Sequence, residues 1–119
     1  MTMTMLDMGL LNELKEDLGE EVLAGLLAHF IGNSKARLTR LAAALESGAL
    51  REAGREAHSL KGIAASLGMP DLAAFAGVIE ETCRTGDLDS ARAQAHGLPE
   101  LLERTVVSLG DHYTLPNRS

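Results

Sequence analysis

The chain has 119 residues and a formal net charge of -6 at pH 7. This length suits a single domain that buries roughly 65% of its unfolded surface. Aromatic residues make up only 3% of the chain, which favours closely packed helices over a β-sandwich, and the acidic balance argues against nucleic-acid binding, which needs a clustered basic face.

The first half of the chain has the hydrophobic spacing of helices separated by short breaks. Asp7 is placed to cap a short first helix that ends at Gly19. A long second helix is predicted over residues 20–46, and residues 32–34 (Gly-Asn-Ser) are a candidate position for a bend. Ser47 and Gly48 mark the next break.

The third predicted helix begins after Gly48 and continues to about Leu67. Apolar residues recur along it in steps of three and four, so one face is expected to be buried. The members of this stripe are Leu50, Ala53, Ala57, Leu60, Ala64 and Leu67.

The second half of the chain contains two further predicted helices. Gly68, Met69 and Pro70 form a stop and start signal, because proline suits the first turn of a helix. The fourth helix is expected over residues 70–85. The last begins after Asp87 and is expected to bend or break near Gly97 and Pro99.

Short loops between amphipathic helices imply antiparallel neighbours. We therefore predict an all-α fold, an up-and-down antiparallel four-helix bundle with an additional short N-terminal helix. Residues 1–110 are assigned to this domain and residues 111–119 to a polar tail that we expect to be disordered. The N-terminus lacks the features of a signal peptide, and the longest apolar run, 22–31, is shorter than the ~20 residues of a membrane helix. We expect a cytoplasmic monomer that does not bind membranes.

The most informative stretch of the sequence is residues 57–68, AHSLKGIAASLG. In a helix, His58, Lys61 and Gly62 would share one face, beside the buried stripe. Gly54 lies one turn before the histidine. Because each glycine in a helix interior costs about 1 kcal/mol relative to alanine, the two flanking glycines indicate that something large approaches the ring closely.

These residue types suit the chemistry of a phosphoryl group. An exposed neutral imidazole is a nucleophile, and Lys61 can balance negative charge on a group that arrives at the ring. Phosphoryl transfer needs mainly positioning and charge stabilisation from the protein. The alternative interpretation is a surface histidine with a lysine nearby by chance.

The motif AHSLKG, followed by small residues and then by Leu67 and Gly68, resembles the histidine-containing phosphotransfer (HPt) domains of bacterial and fungal phosphorelays. The resemblance covers roughly residues 10–109, and Ile63 departs from it because many members carry serine or alanine there. It implies that Nε2 of His58 accepts the phosphoryl group, that Lys61 neutralises its charge and that Gly62 keeps the approach open.

The resemblance also implies a phosphoryl carrier rather than an enzyme. The sequence has no G-x-x-x-x-G-K-[ST] loop for ATP. No bound cofactor is expected, because Mg²⁺ belongs to the partner's site in such systems. The implied partners are receiver domains of response regulators or of hybrid sensor kinases.

Other residues refine the expected site. Glu80 occupies a position at which some HPt domains carry a Glu or Gln that hydrogen-bonds the imidazole through Nδ1. Glu81 makes this contact instead if the helix phase is shifted by one residue. The interpretation of Glu80 as a solvent-facing acid is equally good. Around the ring, we expect partner contacts from Gly54, Arg55, Ala65 and Met69, together with exposed leucines of the first helix.

Arg51 and Arg55 lie on the same predicted face as Lys61 and would form a local basic patch on an acidic protein. Such a patch can steer the protein toward a partner with an acidic pocket. Ordinary solvated helix charge explains the two arginines equally well.

The other histidines and the single cysteine do not suggest a metal site. His29, His96, His112 and Cys83 have no metal-ligand spacing. Two alternative functions stay open: a phosphoacceptor domain labelled directly by a histidine kinase in trans, and a helical adaptor that is not phosphorylated.

Overall fold

The computed structural model describes residues 4–115, and within this range the chain forms α-helices and no strands. The predicted all-α class is therefore confirmed. The helices are α1 (Met8–Leu18), α2 (Glu20–Glu46), α3 (Leu50–Ser66), α4 (Pro70–Thr85), α5 (Leu88–Ala95) and α6 (Leu98–Gly110). The last predicted helix is interrupted at His96 and Gly97, as the nearby glycine and proline indicated, whereas α2 continues without a break through residues 32–34.

Local sequence signals set the helix ends. The side chain of Asp7 accepts a hydrogen bond from the Leu10 amide at 3.1 Å, and Asp87 caps α5 through the Ser90 amide at 3.1 Å. Each cap satisfies an amide that has no partner inside its own helix. Two of the predicted starts are therefore explained by a single aspartate each.

The turn between α3 and α4 packs tightly against the N-terminal segment. Gly68 has a φ of 78°, and a Cβ there would lie 2.9 Å from Cγ of Leu11. The Gly68 carbonyl accepts a hydrogen bond from the Asp7 amide at 2.8 Å. Only glycine fits both the left-handed backbone and this close approach, which holds the α3–α4 turn against the start of α1.

The most extensive helix packing is between α3 and α4, and α2 covers α3 from another side. Small buried residues allow the close approach of these helices: Ala53, Ala57, Ala64, Ala73 and Ala76. The predicted stripe of α3 is buried along its middle and partly buried at its two ends, Leu50 and Leu67. The arrangement as an antiparallel four-helix bundle stays a prediction.

Polar contacts add to the packing around α2. Arg37 and Arg40 both pair with Glu56 of α3, at 3.1 and 3.2 Å. Arg92 of α5 donates to the carbonyls of Leu45 and Glu46 at 2.9 and 3.1 Å, and so satisfies the C-terminal end of α2.

The final helix ends at Gly110, which is also the predicted end of the domain. Beyond it, Tyr113 and Leu115 are buried against the core. This part of the predicted tail is therefore packed, while residues 116–119 lie outside the described part of the chain. The boundary between domain and tail stays a prediction. None of the helices between residues 4 and 115 is long and apolar enough to cross a membrane.

Candidate functional site

His58 projects from the middle of α3 into solvent. Its neighbour Ala57 is fully buried, whereas the His58 side chain is 67% exposed. Successive residues of a helix point about 100° apart, so the ring lies at the side of the buried stripe. This is the position that the periodicity of α3 predicted.

Glu80 of α4 is hydrogen-bonded to one ring nitrogen of His58. Its Oε2 lies 2.7 Å from Nδ1, and Nε2 has no hydrogen-bond partner within residues 4–115. A carboxylate can only accept a hydrogen bond, so Nδ1 carries the proton and the lone pair of the neutral ring is on Nε2. The free lone pair therefore belongs to the nitrogen that Glu80 does not contact.

Lys61 pairs with the second oxygen of the same carboxylate. Its Nζ lies 2.6 Å from Oε1 of Glu80. The Lys61 hydrogen bond is the largest effect on the pKa of Glu80 and, together with the hydrogen bond and the charge of His58, it holds this pKa below its ordinary value of 4.5. Burial is the second-largest effect and opposes this shift. Glu80 is thus an anion at neutral pH and links the nucleophile to the cation.

Glu81 does not contact the histidine. It forms an ion pair with Arg84 on the same helix, and this pairing lowers the pKa of Glu81. Of the two carboxylates left open by the sequence, Glu80 is the one that meets the ring.

The two glycines beside His58 have different surroundings. A Cβ at Gly62 would meet no atom within 4 Å, so the space over this turn is open. A Cβ at Gly54 would lie 3.4 Å from Cβ of Cys83. Gly54 therefore also serves the approach of α3 to α4, a role that the sequence pattern did not suggest.

A surface groove of about 840 Å³ runs beside His58 between α3 and α4. Its lining includes Leu50, Arg51, Gly54, Arg55, Ser59, Glu80, Cys83 and Arg84. Arg51 and Arg55 are exposed and form no ion pair among the described residues. The groove therefore has a basic rim next to the ring, and burial raises the pKa of the Cys83 thiol in its wall.

Ala65 and Met69 differ in their availability to a partner. Ala65 is exposed. Met69 is 0% exposed because its side chain joins the core, and its amide bonds to the Ala64 carbonyl at 2.9 Å in the α3–α4 turn. The expected partner contact of Met69 is thus not available at the surface.

Gly77 of α4 also lies at the site, although the sequence pattern did not indicate it. A Cβ at this position would lie 3.2 Å from Cδ of Lys61. The available signal was a glycine inside a helix, three residues before Glu80. Between residues 4 and 115, no cluster of His, Cys, Asp and Glu could hold a metal ion.

Comparisons with known proteins identify the family of this chain. The model of the Hpt domain matches residues 25–107, a range that includes His58, Lys61, Gly62 and Glu80. The crystal structure of histidine-containing phosphotransfer protein B (HptB) from Pseudomonas aeruginosa PAO1 is similar, with a TM-score of 0.83 and 28% identity over 92% of this chain and 95% of that one. A comparison with curated proteins gave no match. Since the family model matches well over half of the residues, the chain belongs to the Hpt domain family.

Proposed function

We propose that this protein carries phosphoryl groups in a phosphorelay, with Nε2 of His58 as the acceptor atom. The observation that supports this most directly is the 2.7 Å contact between Glu80 and Nδ1, which leaves the lone pair on the exposed Nε2. The donor is a phosphorylated aspartate of a receiver domain, and the acceptor is an aspartate of another receiver.

In the proposed transfer, the Nε2 lone pair attacks the phosphorus atom of the aspartyl phosphate. The bond from phosphorus to the aspartate oxygen breaks, and the carboxylate leaves with the electron pair. The Nδ1 proton stays in place, so the phosphorylated ring is a cation beside the anionic Glu80. The charge of Glu80 stabilises this cation, and the second transfer repeats the same steps in reverse.

Lys61 and Gly62 serve the incoming group. The ammonium of Lys61 has three N–H donors; one points to Oε1 of Glu80, and the others are available to phosphoryl oxygens. The absence of a side chain at Gly62 leaves room for the partner's phosphorylated loop. The protein holds no ATP site or cofactor of its own in this scheme, and the partner supplies Mg²⁺.

The partner surface in this proposal surrounds His58. Gly54, Arg51 and Arg55 line the groove on one side, and Ala65 lies on the other side of Lys61 along α3. The two arginines face the acidic pocket of a receiver domain. We further propose that the helices form an antiparallel four-helix bundle and that the protein works as a cytoplasmic monomer.

The test is incubation with a phosphorylated receiver domain, followed by detection of acid-labile, base-stable phosphate. The wild type and His29→Gln, a change of another exposed histidine on α2, should be labelled. His58→Gln should be unlabelled and should keep the wild-type Tm, because the ring is at the surface.

Two results would contradict the proposal: label on the His58→Gln variant, or no label on the wild type from several receivers. Replacing the phosphorylated receiver by a histidine kinase with ATP distinguishes direct phosphorylation in trans. Partner binding that is unchanged in His58→Gln, without any label on the wild type, would indicate a helical adaptor.

A further inference from the structure

The side chain of Lys61 crosses α4 directly over Gly77. A Cβ built at Gly77 would lie 3.2 Å from Cδ and 3.9 Å from Cγ of Lys61. Gly77 and Glu80 are three residues apart on α4 and so share one face of the helix. The lysine therefore passes over the glycine and ends one turn further on, at Oε1 of Glu80.

The backbone of α4 does not require glycine at this position. Gly77 is inside a continuous helix, and its φ is not positive. Glycine in a helix interior is less favourable than alanine. The contact with Lys61 is the feature that distinguishes Gly77 from Gly32 of α2, where an added Cβ would meet no atom within 4 Å.

A methyl group at residue 77 would force the lysine to move. Carbon atoms pack best at about 3.5–4.0 Å, so a separation of 3.2 Å is too short. The lysine is fixed at one end by α3 and at the other by the 2.6 Å contact with Glu80. Because both ends of the side chain are held, we expect a shift at Cδ to lengthen the contact between the ammonium and the carboxylate.

We propose that Gly77 is a positioning residue: its missing side chain opens the path by which Lys61 reaches Glu80, and this path sets the ammonium beside His58. The consequence for phosphoryl transfer rests on the function proposed above. The consequence for the contact between Lys61 and Glu80 does not.

The first measurement is the titration of the Glu80 carboxyl group by NMR in the wild type, in Gly77→Ala and in the matched control Gly32→Ala. Lys61 is the largest cause of the lowered pKa of Glu80. We expect this pKa to rise toward its ordinary value in Gly77→Ala and to stay at the wild-type value in Gly32→Ala. A wild-type titration of Glu80 in Gly77→Ala would overturn the proposal.

The second measurement is the rate of phosphoryl transfer from a receiver. Gly77→Ala should slow transfer several-fold, by no more than Lys61→Ala does, and should cause no further loss when it is added to Lys61→Ala. A further loss in that background would overturn the proposal, because the glycine would then act without the lysine. If the wild type itself is not labelled, the proposed function fails, and the titration still decides the role of Gly77.

Thermal unfolding separates this role from a general effect on stability. Alanine is the better helix former, so Gly32→Ala should have a Tm equal to or above that of the wild type. In Gly77→Ala the same gain offsets the weakened contact between Lys61 and Glu80, so its Tm should stay close to that of the wild type. Slower transfer in a variant that is not less stable is the expected signature. A Tm well below the wild type in Gly77→Ala alone, with a wild-type titration of Glu80, would indicate a packing role instead.

Discussion

At the level of single residues, one carboxylate connects the groups of the site. Glu80 contacts the imidazole through Oε2 and the ammonium through Oε1, and its side chain is only 28% exposed. Because both partners favour its ionised form, the charge of Glu80 contributes to the stability of the folded state as well as to the orientation of the ring.

This gives a prediction for the pH dependence of stability. The pKa of Glu80 is lower in the folded state than its ordinary value of 4.5, so the folded state binds this proton less readily than the unfolded state. The stabilisation is complete above that ordinary value and is lost as the pH falls through the lower, folded-state pKa.

Replacing Glu80 with Gln should therefore lower the Tm at pH 7, and the difference from the wild type should shrink as the pH is lowered below 4.5. Thermal unfolding at a series of pH values measures this. Glu103→Gln, at an exposed position without an ion pair in the described part of the chain, is the control and should follow the wild type. A difference that is the same at every pH would contradict the prediction.

At the level of helices, the site depends on the pairing of α3 with α4. His58 and Lys61 belong to α3, and Glu80 and Gly77 belong to α4. The small residues between these helices bring their backbones close enough for His58 and Lys61 of α3 to meet Glu80 of α4. A few polar contacts then hold the other helices around this pair.

Arg92 provides the clearest of these contacts, because it joins α5 to the C-terminal end of α2. Its guanidinium donates to two carbonyls that lack partners inside α2, where the helix dipole also favours a cation. We expect Arg92→Met to lower the free energy of unfolding by about 1–2 kcal/mol.

Urea denaturation measures this loss, and hydrogen exchange should show faster opening of the last turn of α2. Arg104→Met is the matched control, since Arg104 is exposed on α6 and forms no ion pair within residues 4–115. Equal unfolding midpoints for the two variants would show that the contact with α2 adds no stability.

At the level of the whole molecule, charge is distributed unevenly. The net charge is -6, yet Arg51 and Arg55 form a basic rim on the groove beside His58. Two like charges at this spacing on a helix repel each other slightly. With a partner that presents an acidic pocket, the attraction between this rim and the pocket increases the rate of association.

We expect the double change Arg51→Gln and Arg55→Gln to slow association with a receiver domain by roughly tenfold at low salt. The difference should shrink as ionic strength rises, because salt screens exposed charges. Stopped-flow association rates at several salt concentrations test this. The control pair, Lys35→Gln and Arg104→Gln, removes the same amount of charge elsewhere, and an equal effect in both pairs would argue against local steering.

The sequence determined the helices and the face of α3 that carries the histidine. Helical periodicity, glycine breaks and aspartate caps act over a few residues, so they can be interpreted from the chain directly. For the same reason, the common face of His58, Lys61 and Gly62 was predictable. The recognition of an Hpt domain followed from that local motif and was confirmed by the match over residues 25–107.

Contacts between helices were decided by the tertiary structure. Whether Glu80 or Glu81 meets the ring depends on how α4 is rotated relative to α3. A rotation of α4 by the angle between two successive residues would bring Glu81 to the ring instead of Glu80. The burial of Met69 and the passage of Lys61 over Gly77 depend in the same way on how closely the helices approach and on the turn that joins them. Such contacts arise from the packing of side chains that are distant in sequence, and the spacing of residues along one helix carries no information about them.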